Sequence, residues 1–303
     1  MITDLRAHST ASASALSRMA LVGAPAAGSM VAGAPPPLTD LEYRRFQAWL
    51  LERAGIHLND SKQILVTSRL ARRLQLLKLQ SFAAYFELIQ RDVVEQQRCL
   101  DLLTTNETYF FREPRHFELL RRWAMEMRKP GSQFRCWSAA ASTGQEAYSM
   151  AMVLADVFGK SSPEWSVHGT DLSSRVLEAA REATYYLRSG EAWPGDFLQR
   201  FCLKGVGPQE GRIAICPELV DKVSFSQMNL ITPWPDMSPY SVVFLRNVMI
   251  YFQNDVKAKI LKQMVRVVKP GGYLVVSQTE SVSSLLPPEF KLVMPSIMQR
   301  VLP

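Results

Sequence analysis

An open parallel α/β sheet preceded by a small all-helical domain is the fold class this sequence predicts, and three observations predict it. After Phe134, short apolar runs alternate with helical stretches in the order βαβα. From 38 to 103, apolar residues recur three and four apart, the period of helices with one buried face. The 303 residues, 47% hydrophobic and 21% charged, suffice for one sizeable core and a second, smaller one. The same figures exclude a peptide module, a collagen and a wholly disordered chain.

Taken in order, residues 1–37 are built from Ala, Ser, Gly and Pro and end in the triple proline Pro35 to Pro37. They lack the large side chains that offset ordering entropy, so a disordered leader is expected. A signal peptide is the weaker reading, because Pro25 and repeated glycines interrupt the apolar stretch behind Arg6 and Arg18. The helical domain, 38–103, breaks at Ala54-Gly55 and around Gln80-Ser81. Within it, Asn59-Asp60-Ser61 is expected to cap a helix from about Lys62 to Leu77, with Val66, Leu70, Leu74 and Leu77 on one side. Lys62, Arg69 and Arg73 share another side, with Arg72 nearby, and the helix holds no acid. Such a face is either simply solvated or a docking surface for an acidic partner.

Residues 104–133 read as an interdomain segment, and 134–303 as the α/β domain. Strands are expected at Phe134 to Ser138, Trp165 to Thr170, Val223 to Gln227, Val242 to Leu245 and Tyr273 to Ser277. Helices are expected at Gln145 to Phe158 and Val176 to Ala183. Between 186 and 222 the rhythm breaks, and Gly205, Gly207 and Gly211 punctuate short antiparallel strands, so this stretch reads as an insertion. It is either a plain sheet-edge decoration or an edge that accepts an extended peptide by main-chain pairing.

The formal charge of +7 suits an acidic protein partner as well as a nucleic acid. Cys99, Cys136, Cys202 and Cys216 form no CxxC pair, which points to a reducing compartment. His8, His57, His116 and His168 show no ligand spacing, and no metal is expected. No run of about eighteen apolar residues occurs, so no transmembrane helix is expected.

Chemistry is suggested at two strand ends. The small residues from Ser138 to Gly144 leave a strand and enter a helix that begins with Gln145-Glu146. A carboxylate at that helix start is poorly suited to a pyrophosphate and suits a ligand with a positive group. Asp171 follows the second strand, where an acid either accepts hydrogen bonds from ribose hydroxyls or caps the next helix. Together the two acids favour a ligand carrying an ammonium and a ribose. Thr104 to Glu113 is dense in aromatic and polar groups, and packing of Phe110 and Phe111 alone would explain it. Leu245 to Phe252 is equally open to a purely structural reading.

The strings TTNETYFFRE, WSAAASTGQEAYSMAM, GTDLS, FLRNVMIYF and KPGGYL, in this order, resemble the bacterial chemotaxis receptor glutamate methyltransferases, the CheR family. The resemblance covers about 40–300. It implies a Rossmann-like S-adenosylmethionine methyltransferase sheet with an all-α N-terminal domain and an inserted antiparallel β-subdomain. The implied reaction gives glutamate methyl esters on the cytoplasmic domain of chemoreceptors, with S-adenosylhomocysteine as product, in a cytoplasmic monomer. Carried over, it implies Asn106, Thr108 and Arg112 at the cofactor's methionine end and reaction centre, and Glu146 near its amino group. It further implies Asp171 on the ribose, Asn229 and Leu230 by the adenine, Arg246 and Asn247 along the pocket wall, and Tyr251 near the methyl group. Arg112 and Tyr251 are the implied catalytic residues. Their alternative roles are an interdomain salt bridge and a core aromatic. Lys62, Arg69, Arg72 and Arg73, with Gly205 and Gly207 of the insertion, are the candidate substrate-docking residues. In some members a small β-subdomain at this place binds a receptor C-terminal pentapeptide. Gln145, Ala147 and Tyr109 depart from the family pattern, where an acid, a proline and a small or apolar residue are usual. A nucleic-acid methyltransferase is disfavoured by the absence of an Asn-Pro-Pro-Tyr type motif. A non-catalytic cofactor-sensing homologue is disfavoured by the presence of Arg112, Glu146, Asp171 and Tyr251.

Overall fold

The computed structural model describes residues 37–188 and 190–301. The expected leader lies outside the described residues, Pro37 excepted.

Among the described residues four α-helices come first. Helix α1 (Asp40–Ala54) opens on a reciprocal cap, with Glu42 N–H donating to Thr39 Oγ1 at 3.3 Å and Thr39 N–H to Glu42 Oε2 at 2.9 Å. Helix α2 (Gln63–Leu76) follows a single tight turn at Asp60–Lys62. The expected cap does not form there: the Ser61 hydroxyl donates to Asn59 Oδ1 instead, and no side chain caps α2. Ser81 caps α3 (Phe82–Arg91) and Asp92 caps α4 (Val93–Leu103). Phe46, Leu50, Val66, Leu70, Phe82, Tyr85 and Ile89, all fully buried, give these helices a core of their own.

The 104–133 segment is not merely a connection, because it contains helix α5 (Pro114–Glu126). Proline supplies a favourable first helical residue, and Phe117, Leu120 and Trp123 recur at helical spacing and bury themselves beneath the sheet.

The α/β unit continues as β1 (Phe134–Ser138), α6 (Gln145–Phe158), β2 (Trp165–Asp171), α7 (Ser174–Glu182), β3 (Thr184–Tyr186), α8 (Phe197–Phe201), β4 (Cys202–Lys204), β5 (Arg212–Ile215), α9 (Pro217–Val220), β6 (Val223–Gln227), β7 (Tyr240–Phe244), α10 (Asn254–Val267), β8 (Val268–Val275), β9 (Phe290–Met294) and β10 (Ile297–Arg300). The main sheet runs β6-β2-β1-β7-β8-β10-β9. Its first five strands are parallel, while β10 lies antiparallel to both β8 and β9. The expected open parallel sheet is therefore closed at one edge by a hairpin. Alternation puts Cys136, Val242, Phe244 and Val275 in the core under α5 and α6, and Trp137, Val243, Leu245 and Leu274 in the core under α10.

The insertion is a three-stranded antiparallel sheet, β3-β5-β4, that begins at Thr184 rather than at Tyr186. Its Tyr185 ring meets Phe110 edge-on at 5.0 Å, and Phe197 meets Phe111 at 5.9 Å. Phe110 and Phe111 thus anchor the insertion. Gly207 and Gly211 hold left-handed turns, whereas Gly205 is required by proximity: a Cβ there would sit 2.0 Å from the Gln209 carbonyl oxygen.

Candidate active site

The chain leaves β1, crosses through α6 to β2 on one side, and later returns as β7 on the other. At such a reversal the loops beyond adjacent strand ends diverge and leave a crevice. Here it is a cleft of about 400 Å³, walled by the loops after β1, β2, β6 and β7, the 103–112 segment and the loop between α1 and α2.

After β1, Ala139, Ala140 and Ser142 bring the backbone up to the cleft, and Gly144, at φ 93°, turns it into α6. A side chain at Gly144 would also meet Ala180 at 2.9 Å. Asp171 ends β2, and its carboxylate accepts from the Ser142 and Ser173 amides, both at 2.9 Å. Burial pushes its pKa up, the backbone donors oppose this, and the nearby Asp101 carboxylate adds to it. Asp171 lines the cleft but does not cap α7. The capping position belongs to Ser173, and the Ser174 amide donates to Asp101 of α4 at 3.0 Å.

Glu146, in the first turn of α6, accepts from the Ser138 hydroxyl and from Arg246, each at 2.7 Å. The Arg246 side chain is wholly buried and stands 3.4 Å from a second carboxylate, Glu113. Two acids thus share one guanidinium. Burial would raise the Glu113 pKa, but the Ser277 hydroxyl, Arg246 and the Gln278 amide hold it below the ordinary value. His116, against Glu113, is pushed down to about 4 by burial and by Arg246, so it adds no charge at neutral pH. Within this set the carboxylates therefore outnumber the guanidinium by one.

Asn106, Thr108, Arg112, Asn229, Leu230, Asn247, Tyr251 and Lys62 line the same cleft as Glu146, Asp171 and Arg246. The Asn106 carbonyl accepts from Ser142 Oγ at 2.8 Å, which fixes the 104–112 segment to the loop after β1. Arg112 donates to the Glu107 carbonyl at 3.1 Å and lies over the Tyr109 ring, and it makes no ion pair among the described residues. The interdomain salt bridge is thus not its role. Asn229 is committed at both ends, donating to the Arg53 carbonyl at 2.7 Å and accepting from the Ile231 amide. The loop after β7 is held by Glu280, a buried carboxylate that accepts from the amides of Asn247, Met249 and Ser277 at 2.8–3.0 Å. Asn247 takes a left-handed conformation there. The Tyr251 carbonyl accepts from His57 N–H at 3.0 Å, while its hydroxyl has no hydrogen bond among the described residues.

Arg69, Arg72, Arg73, Gly205 and Gly207 lie outside the cleft lining. The basic face of α2 needs correction, because two of its cations are committed internally. Arg73 forms a two-pronged ion pair with buried Glu95 of α4. Arg69 donates to the Leu103 and Thr104 carbonyls at 2.8 and 3.0 Å, closing the end of α4. Lys62 and Arg72 stay exposed. Sequence reasoning missed Glu113, Glu280 and Asp101. Glu113 stood inside a quoted motif without a role, and nothing local marks the other two.

Among the described residues no group of three or more His, Cys, Asp or Glu is arranged to hold a metal ion, and no helix is long and apolar enough to cross a membrane. Residues 106–296 match the family model of the CheR methyltransferase SAM-binding domain, and 41–104 that of the CheR methyltransferase all-alpha domain. A chemotaxis protein methyltransferase of Salmonella typhimurium is 39% identical over 252 residues, covering 82% of this chain and 86% of that protein. One of Escherichia coli is 39% identical over 251 residues, covering 82% and 87%. Among solved structures, the N-methyltransferase NodS of Bradyrhizobium japonicum aligns with a TM-score of 0.36 at 12% identity, covering 63% of this chain and 97% of that one.

Proposed function

The chain belongs to the CheR methyltransferase family, and from that membership we propose that it methylates glutamate side chains on the cytoplasmic domain of chemoreceptors, using S-adenosylmethionine. The observation that carries this reading is convergence: residues from six separate segments meet in one cleft, backed by a buried set in which Glu146 and Glu113 share the single guanidinium of Arg246. The buried Asp171, the acid excess at Glu146 and the apolar Met228 and Leu230 suit a ligand with a ribose, a cationic amino-acid end and a purine.

When bound, S-adenosylmethionine supplies a methyl group on a sulfonium. Asp171 offers its remaining lone pairs to the ribose, Glu146 its charge to the ammonium, and Asn106 and Thr108 polar contacts to the methionine end. Leu230 would pack on the purine, with Asn229 shaping that wall through its bond to Arg53 and Asn247 completing the opposite wall beside Arg246. An acceptor glutamate, with an ordinary pKa of about 4.3, is ionised at neutral pH, so no general base is needed. The protein's task is alignment and exclusion of water. Arg112, without an ion-pair partner among the described residues, is suited to orient the acceptor carboxylate through its fork of donors, and the Tyr251 hydroxyl to hold either that carboxylate or the sulfonium end.

In this reading the protein works as a monomer in the cytoplasm. Lys62 and Arg72 face the acidic receptor segment, and the β-subdomain takes a receptor C-terminal pentapeptide. Supporting the last point, β3 and β4 are both edges of their small sheet, and Tyr186 is exposed on one of them. Incubation with labelled S-adenosylmethionine and receptor-containing membranes should give base-labile methyl label. Arg112→Ala and Tyr251→Phe should lower that transfer more than they lower cofactor affinity. Label that resists base, or resides in nucleic acid, would overturn the reading.

A further inference from the structure

The turn that follows β2 is gripped by the helical domain, not only by its own sheet. Asp101 of α4, 2% exposed, accepts from the Ser174 amide at 3.0 Å and from the Ser174 hydroxyl at 3.1 Å. Gln97, one helical turn earlier, donates to Asp101 Oδ1 at 2.9 Å and to the Leu172 carbonyl at 3.1 Å. Gln227, at the end of β6, closes the ring by donating to Gln97 Oε1 at 2.8 Å and to the same Leu172 carbonyl at 2.9 Å. The Leu172 side chain packs against the core of the helical domain.

Asp171 sits at the start of this turn, and among the described residues its carboxylate accepts hydrogen bonds from backbone amides, those of Ser142 and Ser173. A carboxylate held only by backbone is as well placed as the backbone that holds it. Residues 172–174 carry the Ser173 donor to Asp171, and the groups that fix those residues in space come from α4 and, through Gln227, from β6.

We propose that Asp101, supported by Gln97, is a positioning residue for the nucleoside end of the cofactor site, so that the helical domain shapes cofactor binding through the Asp171 turn. The proposal rests on the reading of the cleft as an S-adenosylmethionine site. Asp101 does not touch the cleft; it acts through Ser174 and Ser173 on Asp171. Asn at this position keeps an acceptor for the Ser174 amide and a polar partner for its hydroxyl, whereas Ala keeps neither.

The test is titration calorimetry of the full chain with S-adenosylhomocysteine, accompanied by thermal unfolding of each variant. Wild-type protein that fails to bind would overturn the reading of the cleft itself, so binding by wild type is established first. Asp101→Ala should then weaken binding on the order of tenfold, and Asp101→Asn should stay within about threefold of wild type. Tyr85→Phe, which loses a hydrogen bond inside the same helical domain but away from this seam, should lower the melting temperature and leave affinity unchanged. Wild-type affinity in Asp101→Ala overturns the proposal. So does an equal loss in the Ala and Asn variants, which would assign the effect to charge, or a loss in Tyr85→Phe matching that of Asp101→Ala, which would assign it to general destabilisation. Should Asp101→Ala not fold, Gln97→Ala decides: affinity weakened about threefold supports the proposal, and unchanged affinity overturns it.

Discussion

In the helical domain Arg73 meets Glu95, which also accepts from the Tyr85 hydroxyl at 2.8 Å, so one guanidinium answers one carboxylate and the set is closed away from any cleft. Behind the cleft Arg246 meets both Glu146 and Glu113, with neutral His116 beside them, and a negative charge is left over. The two arrangements use the same groups. Their difference teaches that a buried arginine–carboxylate set serves stability where its charges balance, and gives a pocket its electrostatic character where they do not.

The strongest way to break the comparison is Arg246→Met. Removing the shared cation leaves Glu146 and Glu113 together without compensation, and the cost should be about 3–5 kcal/mol, read by denaturant unfolding. A cost below about 1 kcal/mol would mean that water or rearrangement already screens the two acids.

Asp171→Ala comes next. Losing a buried charged acceptor in the cleft should weaken S-adenosylhomocysteine binding by about 1.5–3 kcal/mol, roughly tenfold to a hundredfold. Unchanged affinity in titration calorimetry would remove Asp171 from the site.

The pH dependence of stability sharpens the comparison on the cleft side. His116 titrates at about 4 in the folded protein, below the ordinary histidine value of about 6.5 in the unfolded chain. Between those values the unfolded state binds the extra proton, so stability should fall as pH drops from about 6.5 towards 4 and be complete above that window. His116→Gln should flatten this part of the profile; an unaltered slope would assign it to other groups.

The smallest effect is expected from Tyr85→Phe in the balanced set, about 1 kcal/mol of stability, because Arg73 still satisfies Glu95. A loss comparable to that of Arg246→Met would erase the distinction between the two sets.

Much of this was legible in the residues. Helix α6 and strands β1 and β6 fall where apolar periodicity puts them, and the small-residue loop with Glu146, like Asp171 at a strand end, already suggested a cationic ligand with a ribose. The segment holding α5 reads as a connection although Phe117, Leu120 and Trp123 carry a helical period, because the aromatic and polar Thr104 to Glu113 motif directly before it follows no such period. The β9–β10 hairpin was missed because its strands are short and Leu292 and Val293 remain exposed, which blurs the period-two pattern.

By itself the sequence determined what depends on near neighbours: helices and strands from their periods, and the identities of most cleft residues through their motifs. Only the tertiary structure decided which charges are spent and which are left over. Arg73 and Glu95 lie 22 residues apart, and Glu146 and Arg246 lie 100 apart. Asp101 and Ser174 are separated by 73. A side chain's pattern and propensity are local properties, but its electrostatic balance is set by whichever groups the fold brings within a few ångströms. Arg69 and Arg73 looked like a free basic face for that reason, and Glu113 and Asp101 looked like nothing at all.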